Sequence, residues 1–173
     1  MIKSKNILLC ETDVLVVGSG IMGVTLASIL KEIEPSIRVD IVEALNAPAL
    51  ESSHAYNNAG TGHAGYCELN YTPLLANNRI DIKKAVQINA GFEMSLQYWS
   101  FLAKKYRLFS PKKFINRVPH ISLVNGSKNV VYLKKRYLAL KDNPLFKTIE
   151  FSTDLKTIGK WIPLLGVKRS PKK

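Results

Sequence analysis

The run Asp13-Val14-Leu15-Val16-Val17-Gly18-Ser19-Gly20-Ile21-Met22-Gly23 constrains this chain more than any other stretch. Four successive apolar residues, Val14 to Val17, suit a strand covered on both faces, as in a parallel sheet. They lead directly into three glycines at the G-x-G-x-x-G spacing. Each glycine answers a physical requirement: Gly18 permits the tight turn out of the strand, Gly20 leaves room for a pyrophosphate beside the backbone, and Gly23 lets the next helix pack close. That helix would turn its free N–H groups and positive dipole end toward the phosphates.

Glycines at this spacing also arise in ordinary loops, so the flanking residues decide the matter. Met22, Leu26, Ile29, Leu30 and Ile33 recur near the helical period, Pro35 stands where the helix should stop, and Val39-Asp40-Ile41-Val42 reads as a second strand. Glu43 lies about 20 residues past Gly23, the place of the carboxylate that hydrogen-bonds an adenosine ribose. The pattern predicts a βαβ unit holding NAD or FAD. It disfavours NADP, whose 2′-phosphate an acidic residue would repel.

Ser52 to Pro73 is too polar and glycine-rich to be core. It reads as a long loop after the second strand, dense in amide, hydroxyl and backbone donors, on the side of the sheet where a cofactor would lie. Beyond it, Ala85, Ile88, Phe92, Leu96, Trp99 and Leu102 step by three or four and predict an amphipathic helix over 79–105, its aromatic stripe turned to a core. Ile121 to Val124 before Asn125-Gly126 reads as a strand and turn; Val130, Leu133, Tyr137 and Leu140 mark a further helix, and Phe146 to Phe151 a further strand.

The loop wording is specific. Asn57-Asn58-Ala59-Gly60-Thr61-Gly62-His63, leading into Cys67-Glu68-Leu69-Asn70-Tyr71-Thr72-Pro73, resembles the malate:quinone oxidoreductases, the FAD-dependent malate dehydrogenases. The resemblance extends through Gly18 to Met22, Val118-Pro119-His120-Ile121-Ser122, Leu133 to Tyr137 and Trp161-Ile162-Pro163-Leu164, nearly to Leu165. Gly23 stands where small residues such as serine also occur, and Tyr56 where tryptophan is expected. A related family, the L-2-hydroxyglutarate dehydrogenases, has a loop of similar role but different wording.

The resemblance implies an α/β fold: a Rossmann-like FAD-binding domain of the glutathione-reductase and D-amino-acid-oxidase kind, here truncated. It implies oxidation of (S)-malate to oxaloacetate, a tricarboxylic acid cycle step, with hydride passing to FAD and electrons to a membrane quinone. Cofactor contacts then fall to Gly18, Gly20, Gly23, Glu43, Asn57, Asn58, Gly60 and Thr61. A base must take the hydroxyl proton and cations must clamp two carboxylates. His63 and His120 are the candidates for the base, with His54 the remaining histidine.

Length departs from the family, whose chains run to about 450 to 500 residues, room for both a dinucleotide domain and a substrate domain. With 173 residues, the chain is expected to be an N-terminal piece: a cofactor unit over 1–78, a mixed part leading to the substrate domain over 79–165, and a basic tail over 166–173. The alternatives are an inactive nucleotide-binding piece, or another FAD-dependent 2-hydroxy acid dehydrogenase such as an L-2-hydroxyglutarate type.

Charge is uneven. Residues 1–100 carry 7 Lys and Arg against 10 acids, and residues 101–173 carry 18 against 3. Lys104-Lys105-Tyr106-Arg107, Lys112-Lys113 and Lys134-Lys135-Arg136 suit either anionic lipid headgroups or plain solvation. No nucleic-acid motif accompanies the charge, so nucleic acid is not expected as a partner. No apolar run approaches the roughly 18 residues of a membrane helix, and Ile7 to Cys10 is too short for a signal peptide. The expected location is the cytoplasm, peripheral on the inner face of the membrane. Cys10 and Cys67 form no C-x-x-C and read as plain thiols, and His63 with Cys67 offers too few ligands for zinc.

Overall fold

The computed structural model describes residues 11–62, 64–66, 68–107 and 110–165. The chain divides into two compact units, Met1–Thr61 and Gly62–Lys173.

In the first unit, strand β1 (Val14–Val17) is followed by helix α1 (Ile21–Ile33) and strand β2 (Val39–Val42). The strands pair in parallel, Val14 opposite Val39 and Val17 opposite Val42. α1 packs on both, and it ends where expected, with Glu34 closing the last turn just before Pro35. Asp13 and the Arg38 backbone N–H, 2.8 Å apart, secure the edge where β2 begins.

One expectation fails here. The strand predicted to be covered on both faces buries only Val16, while Leu15 is 55% and Val17 81% exposed. The sheet formed by the described residues has two strands, and α1 can cover only one of its faces. The apolar positions read for α1 divide: Met22 is 81% and Ile33 75% exposed, Ile29 and Leu30 are half-buried, and Ala27 is buried. Small residues decide this. A Cβ on Gly23 would meet the Gly18 carbonyl oxygen and lie 2.9 Å from Val16 Cγ1, so the helix seats its narrow Gly23 and Ala27 side on the strand and leaves Met22, Leu26 and Ile33 exposed.

The second unit is helical: a 3₁₀ turn (Leu69–Tyr71), α2 (Lys83–Lys105), a 3₁₀ turn (Pro111–Lys113), α3 (Ser127–Leu140), a 3₁₀ turn (Pro144–Phe146) and α4 (Leu155–Trp161). Its core is Ala85, Leu140 and Phe146, with Tyr66, Tyr71, Ile82, Val86, Leu145 and Ile149 packed around. The Tyr66 and Phe146 rings meet edge to face at 5.1 Å.

α2 begins at Lys83, not at 79. Residues 73–81 instead form a tight hairpin, with Leu74 bridged to Ile80 and the Asp81 carboxylate accepting from the Lys83 N–H. Ile121 to Val124 forms no strand, since no ladder partner meets it among the described residues. The Asn125-Gly126 turn is present, with Gly126 at φ +88° leading into α3. Phe146 to Phe151 is likewise not a strand: Asn143 caps a 3₁₀ turn that drives Phe146 into the core. α4 was not foreseen from its apolar spacing. Its signal was Asp154, whose carboxylate accepts from both the N–H and the hydroxyl of Thr157 at 2.8 Å.

Candidate functional site

The glycine turn carries the backbone geometry its sequence requires. Gly18 sits at φ +94°, a conformation side chains resist, and its N–H donates to the Val42 carbonyl at 2.8 Å. The turn is thereby tied to the end of β2. α1 then starts from Gly20, so its first turn leaves the N–H groups of Met22 and Gly23 without intrahelical acceptors.

Glu43 is held against this turn. One carboxylate oxygen accepts from the Ser19 hydroxyl at 2.6 Å and the Ser19 N–H at 2.9 Å, and the other from the Leu45 N–H at 3.1 Å. These bonds, the Ser19 hydroxyl first, hold its carboxyl down to about 2. Glu43 is thus an anion at neutral pH, and it stays exposed although Ser19 and Leu45 hold it.

Ser53 stands at the head of α1. Its hydroxyl oxygen accepts from the Ile21 N–H at 2.9 Å, and a Cβ placed on Gly20 would lie 3.2 Å from it. The amide of Asn57 donates to the Glu51 carbonyl at 2.8 Å, and that of Asn58 to the carbonyls of Ser52 and His54. Asn58 also accepts from the Gly60 N–H at 2.7 Å. The two asparagine side chains therefore shape the loop itself. The Thr61 hydroxyl likewise bonds back to the loop, donating to the Ala59 carbonyl at 3.3 Å.

The later half of the loop, in the second unit, is held by side chains from two helices. Asn89 of α2 donates to the Ala64 carbonyl at 2.9 Å and the Leu145 carbonyl at 3.2 Å. Arg136 of α3, 5% exposed, donates to the Thr72 hydroxyl at 2.9 Å and the Tyr66 carbonyl at 3.2 Å. Tyr132 donates its hydroxyl to the Leu69 and Thr72 carbonyls. Burial pushes the Arg136 guanidinium below its ordinary value, and Tyr132 and Tyr66 pull the other way. Arg136 is thus withdrawn from the basic cluster read from the sequence. Lys135 of the same cluster reaches Asn78, and only Lys134 of the three is exposed.

His54, in the first unit, accepts from the Tyr56 N–H at 3.3 Å and lies beside its ring. His120, in the second, is exposed, with Ser122 as its neighbour at 3.4 Å. His63 and Cys67 lie outside the described residues, as does the expected tail over 166–173. Among the described residues no group of His, Cys, Asp and Glu could hold a metal ion.

Sequence reasoning missed Ser19, Ser53, Asn89, Arg136 and Tyr132. Asn89 alone left a signal: a polar residue on the Ala85 to Phe92 stripe of α2.

Comparison with known proteins agrees with the loop wording. The profile of the malate:quinone oxidoreductase family matches residues 10–173. The chain is 53% identical over 153 residues to a probable malate:quinone oxidoreductase 2 of Pseudomonas aeruginosa, covering 88% of this chain and 30% of the relative. It is 49% identical over 160 residues to one from Flavobacterium johnsoniae, covering 92% and 32%, and 50% identical over 155 residues to one from a Geobacillus species, covering 90% and 30%. The chain spans about a third of the length of these relatives. With a family profile matched from residue 10 onward, across both the glycine turn and the Asn57 to Pro73 loop, this chain belongs to the malate:quinone oxidoreductase family.

Proposed function

We propose that this chain supplies the FAD-gripping N-terminal portion of an enzyme that oxidises (S)-malate to oxaloacetate and passes electrons to a quinone. The observation that carries the reading is the tie between the glycine turn and Glu43: a fixed anion beside a helix N-terminus, joined through Ser19. An anion suits ribose hydroxyls, which donate; free N–H groups suit a pyrophosphate, which accepts. The proposed fold is accordingly a Rossmann-like dinucleotide unit, of which β1, α1 and β2 form the beginning.

In this reading Glu43 accepts from the adenosine ribose, the N–H groups of Met22 and Gly23 face the phosphates, and the 57–61 backbone borders the flavin-bearing half. When bound, FAD supplies the hydride acceptor. The chain's own residues bind and orient it, and His63 and His120 remain the candidates for the base. The exposed lysines at the end of α2, Lys104 and Lys105, and Lys112 and Lys113 after it, suit the anionic inner face of the cytoplasmic membrane. Among the described residues no helix is long and apolar enough to cross a membrane.

A narrower reading applies to the 173 residues by themselves, favoured by their covering only 30% to 32% of the relatives: nucleotide binding without turnover. Flavin titration of the wild-type chain and Gly20→Val tests the cofactor site, because a valine would fill the space kept open beside Ser53. Equal flavin binding by the two proteins would refute it. Malate-dependent dye reduction with added FAD tests the narrower reading, and measurable turnover would place the whole active site within these residues.

A further inference from the structure

Ser53 reaches the head of α1 from 32 residues along the chain, and its hydroxyl oxygen accepts from the Ile21 N–H at 2.9 Å. Gly20, the N-cap, has no side chain with which to do this. Among the described residues Ser53 makes no other side-chain hydrogen bond, so the hydrogen of the same hydroxyl is left without an acceptor. A capping role accounts for the oxygen but not for this donor.

The loop presents Ser53 to the helix from both sides. The His54 N–H and the Asn57 amide donate to the Glu51 carbonyl at 2.9 and 2.8 Å, and the Asn58 amide donates to the carbonyls of Ser52 and His54 at 3.1 and 2.8 Å. The residues before and after Ser53 are thereby tied down. A Cβ on Gly20 would lie 3.2 Å from Ser53 Oγ, so the hydroxyl borders the space that Gly20 leaves open. The N–H groups of Met22 and Gly23 stand in the same first turn without intrahelical acceptors. Accepting from Ile21 also polarises the Ser53 hydroxyl toward donating, because hydrogen bonds in a chain strengthen one another.

We propose that Ser53 is a pyrophosphate-binding residue: with its oxygen held by the Ile21 N–H, its hydroxyl donates to the phosphate oxygens that the Met22 and Gly23 N–H groups also serve. The inference rests on the FAD reading above, to which it adds a side-chain donor at the phosphates. Glu43 serves the ribose and Ser53 the pyrophosphate, so the two residues act on separate parts of one nucleotide.

The test measures adenosine and ADP affinity of the 173-residue chain by titration calorimetry, for wild type, Ser53→Ala and Ser53→Thr, with circular dichroism to follow folding. Adenosine carries the ribose alone, and ADP adds the pyrophosphate. A hydrogen bond from a neutral donor to a charged acceptor predicts that Ser53→Ala lowers ADP affinity about tenfold or more, with adenosine affinity within about twofold of wild type. Ser53→Thr, which keeps the hydroxyl, should restore most of the ADP affinity. Unchanged ADP affinity in Ser53→Ala would overturn the proposal. So would an equal fall for both ligands, a threonine variant as weak as the alanine one, or the unfolding of Ser53→Ala, each of which would leave Ser53 as a cap of α1 alone. A wild-type chain that binds neither ligand would instead defeat the FAD reading, and this inference with it.

Discussion

Ser19 gives Glu43 two hydrogen bonds at once, from its hydroxyl at 2.6 Å and its backbone N–H at 2.9 Å, across 24 residues of sequence. This pair closes the first βα turn onto the end of β2, so the anion and the helix N-terminus are held in one piece. Ionisation of Glu43 then becomes linked to the order of the turn.

The linkage has a definite sign. The Glu43 carboxyl is held down to about 2, below its ordinary value of about 4.5, so its contribution to stability is complete above about 4.5 and lost as pH falls toward 2. Urea unfolding of the chain and of Glu43→Gln should differ at pH 7, and the difference should shrink steadily between pH 4.5 and 2. A constant difference over that range would show that the ionised carboxylate is not what ties the turn.

Gly65→Ala should be among the more damaging single methyl additions in the second unit. The residue would have to adopt φ +73° and place its methyl 2.5 Å from the Ala85 carbonyl oxygen, a backbone atom that cannot swing aside. Overpacking of this kind costs about 1 to 3 kcal/mol. The urea midpoint should fall accordingly, and a midpoint equal to wild type would mean that the loop lies off α2.

Arg136→Ala should lower stability by about 2 to 3 kcal/mol, because hydrogen bonds from a charged donor to the Thr72 hydroxyl and the Tyr66 carbonyl are lost together in a buried setting. Arg136→Lys should recover only part of this, since a single ammonium cannot reproduce the guanidinium fork. Chemical denaturation followed by circular dichroism distinguishes the two, and full recovery by lysine would point to charge without geometry.

Membrane contact through the basic half should be electrostatic. Binding to vesicles containing an anionic phospholipid should exceed binding to zwitterionic ones and should weaken on raising salt, as screening shortens to about 3 Å at 1 M. Neutralising Lys104, Lys105, Lys112 and Lys113 to Gln should remove the preference, while Arg136 should not contribute because it is buried. Sedimentation with vesicles measures both, and salt-insensitive binding would rule the electrostatic contact out.

The sequence by itself determined β1, the glycine turn, α1 and β2, because each rests on local patterns: an apolar run, glycines at fixed spacing, a helical period and a proline stop. It also marked the Ser52 to Pro73 loop by composition, and the family by the wording of Asn57 to Pro73. Only the tertiary structure decided that α1 seats Gly23 and Ala27 instead of Met22 and Ile33, since that choice depends on how near the helix comes to Val16. Similarly, Arg136 meets Thr72 across 64 residues and Tyr66 across 70, and Asn89 meets Ala64 across 25. A periodicity reports which side of an element is apolar, but not which distant carbonyl a buried donor will find. Those partners are set by the packing of α2 and α3 around Ala85, Leu140 and Phe146, where each buried polar group must be satisfied by what the fold brings within reach.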